Sequence, residues 1–590
     1  MLEFFKKPLG IVLSGIIAVS MLTATAAASQ VPNKGQWVKG DFHTHTYLSD
    51  GSYRADEVAA KARQYGLDWY GATDHGGATV GTRDENGTDW TQVALDKATG
   101  TSGELKVMPR WATIFGTGED QINQNRKESG ILQFTGFEWN VPTHEHASVG
   151  IIGNSDVVRK ELAKFDYMFD GTAEIKNETI DWLKDLTQSN KTHNHALAGA
   201  KYLQENFPTT SYLLPNHATR AANWTLADFR EFNDEAPDVF FGAEMLPGHQ
   251  ASSFRGGLGY LSVFDPITKK NVNIMGKNGN TLREKLNDYI GGLENKGDYK
   301  TEHKTAMLKS LQENEARQRT YGGADIFAAR VGGVWDAMLS EGRQFWIFGN
   351  SDFHIDVAKA AGAGEPDFWP GEYTKNYTFV AEKTYQGILD GMRSGNSFTV
   401  FGELITVLDF KISNNNTSAV MGETLKASKG KDTIVTICFK SPGRNVDHID
   451  LIAGEVRDEP IEKYNAKTKD FEDPKQYLTA DFQNEDVTDT TKVIKRFKKS
   501  DFINEGIGYS NGFYSISFVV PASEKDMYYR LRGTNNAVGT ANCDANGNPT
   551  IDTPLGIYSG TNTPAKAFDD LWFYSNPIFV INTADSILDR

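Results

Sequence analysis

The chain is predicted to be an α/β protein, a β/α barrel with helical insertions, followed by an antiparallel β-sandwich. Three observations in its 590 residues predict this. From about residue 37, short apolar runs ending in turn residues alternate with stretches of helical period. The alternation continues to residue 403, and so many units suggest a closed barrel rather than an open sheet. After Gly402 the period changes to two, with turn-rich links and no helical stretches. The expected domains are therefore a barrel over 37–403 and a β-sandwich over 404–590.

At the N-terminus, MLEFFKK is basic and PLGIVLSGIIAVSMLTATAAA is apolar, closing in small residues. That order is a signal peptide over residues 1–28. An uncleaved anchor is the rival, but the apolar part is shorter than the ~20 residues a spanning helix needs. The expectation is an exported protein, periplasmic or extracellular, with no membrane span after cleavage. WVKGDFHTHT is the first strand, followed by the helix RADEVAAKARQYG, with Ala55, Val58, Ala59 and Ala62 on one face. DWYGATDH, LQFTGFEWN, YLLPNHATR, DVFFGAEM, FWIFGNSDFH and NYTFVAEK are later strands. Val331, Val334, Trp335, Met338 and Leu339 mark a helix before FWIFGN, and Tyr385, Ile388, Leu389 and Met392 one after NYTFVAEK. Residues 156–210 and 281–319 are polar, helix-like insertions expected to wall the barrel's mouth. In the last third, LDFKI, TIVTICFK, HIDLIAG, GFYSISFVVP, MYYRLRGT and LWFYSNPIFVI read as strands.

A formal charge of −16 repels nucleic-acid backbones, so no nucleic-acid polymer is expected as partner. An anionic substrate would have to be attracted locally, by metal ions or arginines. The two cysteines, Cys438 and Cys543, have no zinc-type spacing. A disulfide between them and two free thiols are equally open.

The strand ends carry the chemistry. His43, His45 and Asp50 follow the first strand in GDFHTHTYLSDG, and Asp74-His75 follows the second. Glu138 closes TGFEWN, His217 ends LLPNH, and Asp352 and His354 end FGNSDFH. In a β/α barrel, residues at the carboxyl ends of strands assemble one site. Imidazole and carboxylate without thiolate suit catalytic zinc, manganese or iron. On a strand, residues i and i+2 point to one side, so His43 with His45, and Asp352 with His354, can each form a clamp.

HTHTYLSDG, then TDH, a lone Glu, NH and D-x-H resemble the PHP (polymerase and histidinol phosphatase) family over roughly residues 37–403. The closest flavour is an exported subgroup with a β-rich C-terminal domain, similar to the branch containing carbamate-ester hydrolases. The resemblance implies a distorted (β/α)7-type barrel holding two or three divalent ions. It implies that His43, His45, Glu138 and Asp352 hold a first ion. Glu138, His146 and His217 would hold a second, and Asp50, His75 and His354 a third. PTHEHASVGII offers both His144 and His146; His146 fits the family pattern because a strand follows it directly, and His144 stays its rival.

The expected reaction is hydrolysis of a small phosphomonoester or phosphodiester by a metal-bound hydroxide. Glu138, His75 and His354 are the expected catalytic residues, the two histidines aiding the leaving group. Arg220, His249 and Arg255 are candidate phosphate contacts, and Glu244 a candidate acceptor for a sugar or base. Hydrolysis of a carboxyl or carbamate ester on the same metals is the alternative. An amidohydrolase fits TDH and SDG less well, and a metal-dependent binding protein with no catalysis is a third class.

Overall fold

The computed structural model describes residues 35–77, 114, 119–153, 155–171, 192–220, 224–252, 255–257, 260–265, 270–275, 282–294, 301–359, 366–415, 417–443, 445–457, 464–465, 470–471, 488–504, 512–552 and 564–583. The expected signal segment 1–28 and parts of both expected insertions lie outside them. Among the described residues no helix is long and apolar enough to cross a membrane.

The architecture is mixed α/β around one large sheet. Strands β1 (Gln36–Asp41), β2 (Trp69–Ala72) and β3 (Leu132–Trp139) run parallel. Strand β4 (Ala147–Ile151) returns antiparallel to β3, and β5 (Ser211–Pro215) pairs antiparallel with β4. Because β4 runs backwards, its amino end lies beside the carboxyl end of β3. Strand β6 (Gly242–Leu246) is followed by the hairpin β7 (Tyr260–Asp265) and β8 (Lys270–Met275). β9 is Trp346–Gly349, β10 Thr374–Val380 and β11 Ser397–Phe401. β10 pairs antiparallel with both β1 and β11.

Among the described residues the expected barrel is not closed by paired strands. Among the described residues β6 and β9 pair in parallel only with each other. On the β10 side the gap is bridged by side-chain amides in place of a backbone ladder. Asn376 accepts from Gly349 N at 2.9 Å and donates to Gly349 O at 2.6 Å, and Asn350 Oδ1 accepts from Phe42 N at 3.0 Å. These amides satisfy backbone groups that a ladder would have paired, and among the described residues the chains that follow β1 and β9 are joined by a single β-bridge, at Thr44 and Phe353.

The sheet also continues past residue 403. β11 pairs antiparallel with Trp572–Ser575, which pairs with Met527–Thr534, giving a 13-stranded sheet that also includes His448–Glu455, Lys492–Lys498, Ile578–Thr583 and Thr424–Ser428. A second, five-stranded antiparallel sheet contains Val407–Asn414, Thr417–Val420, Thr433–Lys440, Ile503–Asn504 and Phe513–Val520. One apolar core, from Val38 and Phe42 through Phe348 and Phe401 to Trp572 and Phe579, lies under both halves of the chain. LWFYSNPIFVI is two strands, Trp572–Ser575 and Ile578–Thr583, split at Asn576-Pro577. Cys438 and Cys543 are free thiols.

Helices cover the sheet as their periods require. Ala55–Gln64 buries Ala55, Val58, Ala59 and Ala62, and Glu57 accepts from Arg54 N at 3.0 Å to cap it. Tyr385–Ser394 buries Ile388, Leu389 and Met392, and stops at Gly395, whose φ of 74° fits the left-handed C-terminal cap.

Buried charges tie the early and late parts together. Asp336 accepts two 2.7 Å hydrogen bonds from Arg530, and Arg255 donates to Asp570 at 3.0 Å. Burial and the neighbouring Asp552 carboxylate push the Asp570 carboxyl up to about 7, against the pull of Arg255. A carboxyl that binds its proton more tightly when folded contributes stability that is present below the ordinary carboxylate pKa and lost as pH rises through 7. Asp570→Asn should therefore flatten the fall in melting temperature between about pH 4 and 7. Thermal denaturation across that range checks this, and an unchanged slope would contradict it.

Candidate metal centre

The chain after β1 and the chain after β9 are laced together before any side chain is considered. Asp352 N donates to His43 O at 3.0 Å and His45 N to Phe353 O at 2.8 Å. Behind them the buried Asp41 carboxylate accepts from His43 N and Ser351 N, both at 3.0 Å. His43 and His45 thus lie just beyond the strand, and a loop held by these bonds, rather than strand alternation, aims them inward. Asp74 takes Thr46 N, Thr46 Oγ1 and Ser49 Oγ at 2.6–2.8 Å, so it shapes the HTHTYLSDG turn.

Glu138, buried near the end of β3, is the centre of the cluster. Its Oε1 lies 3.0 Å from His43 Nε2, 3.2 Å from His217 Nε2 and 3.3 Å from His146 Nδ1. Its Oε2 lies 2.8 Å from His75 Nδ1 and 3.4 Å from His45 Nε2. Asp352 Oδ1 is 3.1 Å from His43 Nε2 and 3.3 Å from His45 Nε2. Asp50 reaches His75 Nε2 and His354 Nε2, both at 3.3 Å. Nine expected donors therefore fall into overlapping groups: His43, His45 and Asp352; His43, Glu138 and His217; His75, Glu138 and His146; and His45, Asp50, His75 and His354. The last group includes His45, which the family resemblance gave only to the first ion.

These residues fit divalent cations. Glu138 Oε2, His75 Nδ1, His146 Nδ1 and Asp352 Oδ1 are buried without a well-formed hydrogen bond, whereas buried polar atoms are ordinarily bonded. Donors held at 2.0–2.2 Å around one tetrahedral ion stand about 3.3–3.6 Å apart, and the spacings above, 2.8–3.4 Å, reach the lower end of that range. The backbone is also strained here. His217, His249 and Asp352 have φ of 30°, 56° and 48°, half of the six non-glycine residues with positive φ among those described. Such strain persists where the surroundings enforce it, commonly at functional sites. Gly248 permits the approach of the 247–249 turn, since a Cβ there would lie 2.2 Å from Asp352 Cβ.

Burial opposes every charge in the cluster, and the neighbours decide which survive. At Glu138 burial favours the neutral acid, yet the His146, His43 and His75 rings hold its carboxyl well below the usual carboxylate range. Asp352 is held low against burial by His43, His249 and Arg220. Against burial again, Asp352, Glu138 and Glu244 push His43 well above the ordinary imidazole value, and Asp50 pushes His354 up to about 9. Burial, with His354 and His75 beside it, drives His45 down to about 3. Burial and Arg220 lower His217 as well. Protons and cations compete for the same lone pairs, so loading the site releases protons.

Of the two rival histidines, His146 faces Glu138. His144 turns away, its ring stacked on Trp224 with centroids 4.6 Å apart. Arg220 Nη2 and His249 Nε2 meet at Asp352 Oδ2, at 2.8 and 3.1 Å, and the Arg220 Nε atom is buried without a hydrogen bond. Arg255 is not brought to the cluster; its guanidinium holds Asp570 and the Tyr373 hydroxyl. Glu244 meets no solvent, sitting behind His43 with Oε2 2.9 Å from Nδ1, and it also accepts from Asn350 Nδ2 at 2.7 Å and His217 N at 3.2 Å. That contact puts the proton on His43 Nδ1 and turns the Nε2 lone pair to the centre. Asp367 went unnoticed in the sequence, where EPDFWP carries no signal. Its carboxylate holds His249 Nδ1 and accepts from His354 N at 2.6 Å.

No family model matches the chain, and no curated protein matches it. Among solved structures, likeness is found to a two-domain protein from Bacteroides vulgatus ATCC 8482 containing a predicted PHP-like metal-dependent phosphoesterase, at 13% identity over 85% of this chain and 92% of that one, with a TM-score of 0.30. A second is a candidate metal-dependent phosphoesterase from Bifidobacterium adolescentis ATCC 15703, at 15% identity over 28% of this chain and 49% of that one, with a TM-score of 0.13. Likeness at these scores settles neither fold nor activity.

Because Glu244 orients His43 from behind, Glu244→Gln should weaken metal binding about 10- to 100-fold while leaving the fold intact. Zinc titration against a competing chelator measures this; unchanged affinity would contradict the assignment.

Proposed function

We propose that this chain is an exported, divalent-metal-dependent phosphoesterase of PHP type, acting on a small phosphomonoester or phosphodiester. The observation that carries the reading is Glu138, whose two carboxylate oxygens face separate sets of imidazoles in a buried cradle. His43, His45, Glu138 and Asp352 would hold one ion, Glu138, His146 and His217 a second, and Asp50, His75 and His354 a third. When bound, such cations polarise a phosphoryl oxygen and bring the pKa of water toward neutrality.

The chain's own groups define how substrate is met. Side-chain exposure is 0–1% at His43, His45, Glu138 and Asp352 but 42% at Asp50, 29% at His146, 18% at His354 and 12% at His75. Substrate therefore enters over Asp50, His75, His146 and His354, and His75 and His354 would meet the leaving oxygen on that side. Arg220, a permanent cation beside Asp352, supports a phosphate over a neutral carboxyl or carbamate ester. The N-terminal basic, apolar and small-residue order supports export.

Purified protein loaded with manganese or zinc should hydrolyse p-nitrophenyl phosphate or bis-p-nitrophenyl phosphate faster than aryl carboxyl or carbamate esters. His43→Ala and Glu138→Gln should bring turnover to background and lower the metal content together. Faster ester or carbamate turnover, or full activity in either variant, would overturn the reading.

A further inference from the structure

Away from the main centre, His144, His193 and Asp228 bring ligand atoms within 4.8 Å of one another. We propose that these three form a separate site for one zinc-like divalent cation, with Glu231 orienting His193.

Three stretches distant in sequence supply it. They are the loop before β4, the start of the helix His193–Asn206, and the first turn of the helix Leu226–Glu235. His193 Nε2 lies 2.6 Å from Glu231 Oε2, a charge-assisted contact in which the ring N–H donates. The lone pair is then on Nδ1, which faces His144 Nε2 at 2.9 Å and Asp228 Oδ1 at 3.6 Å. A carboxylate behind an imidazole whose other nitrogen looks into a donor set is how metal-ligating histidines are held. The other two donors are fixed in advance. His144 is stacked on Trp224 and meets the edge of Phe232 with centroids 5.8 Å apart. Asp228 Oδ2 accepts from Thr225 N and Thr225 Oγ1, both at 2.7 Å, leaving Oδ1 toward His193.

Two imidazoles and a carboxylate with no thiolate form a borderline donor set that suits zinc. His193 is 30% exposed on its side chain, so water can complete the coordination. Two helix starts oppose a cation here, and the Asp228 and Glu231 carboxylates offset them. The site is also coupled to the main centre by the chain itself. Glu145, between His144 and His146, stands 3.4 Å from His217 Nδ1, so an ion on His144 pins the segment that presents His146. The competing arrangement is a plain hydrogen-bond chain from His144 through His193 to Glu231, which needs no ion.

Full-length protein, stripped with chelator and reloaded with zinc, decides between them by metal count after dialysis and by calorimetric titration. His193→Ala should hold one zinc fewer per chain than the unaltered protein, while His43→Ala should keep this outer ion. Glu231→Gln should retain it with affinity about 10- to 100-fold weaker. Equal zinc counts in His193→Ala and the unaltered protein would overturn the proposal. Should His193→Ala fail to fold, a Glu231→Gln titration indistinguishable from the unaltered protein would overturn it equally.

Discussion

A carboxylate with no access to water, surrounded by imidazoles, is the constraint on which the rest of this structure depends. Glu138 on its own would cost several kcal/mol to bury ionised, and it is kept ionised by rings that are themselves buried. Several residues of the cluster are in turn fixed from behind or through the backbone: His43 by Glu244, His249 by Asp367, and the His43–His45 and Asp352–His354 loops by Asp41. Removing one of these supports loosens the side chain it holds. The geometry is therefore shared among the side chains and is no single residue's property.

The large sheet supplies the rigidity that such an arrangement needs. Donors reach the centre from the ends of β1, β2, β3, β5 and β9 and from the start of β4, and these strands belong to one core with the C-terminal strands. Met527–Thr534 contributes Arg530 and Arg532, which hold the buried carboxylates of Asp336 and Asp450. Residues far beyond the metal-ligand motifs thus take part in supporting the sheet from which the donors project.

Local patterns made much of this legible in the sequence. HTH, TDH and DFH name donors because short spacing fixes which side chains can share a site, and the helix over 55–64 shows its buried face in its period. What was not legible depends on contacts between distant residues. Glu244 looked like a substrate acceptor, yet its partner His43 lies 201 positions away. Arg255 looked like a phosphate contact, but Asp570, 315 positions on, takes its guanidinium. The expected closure by paired strands failed among the described residues for the same reason. Asn376 and Asn350 satisfy the backbone beside β9 through side-chain amides, and no periodicity reveals that. The division at Gly402 marks a real change of period, but hydrogen bonding from β11 to Trp572–Ser575 crosses it.

The cluster's meaning turns on whether Glu138 spans ions. Anomalous diffraction from crystals of the metal-loaded protein, collected on both sides of the metal's absorption edge, tests that most directly. The account predicts two separate anomalous peaks within bonding distance of the Glu138 carboxylate, one flanked by His43, His45 and Asp352 and the other by His146 and His217. Metal bound elsewhere, with Glu138 touching no peak, would contradict it.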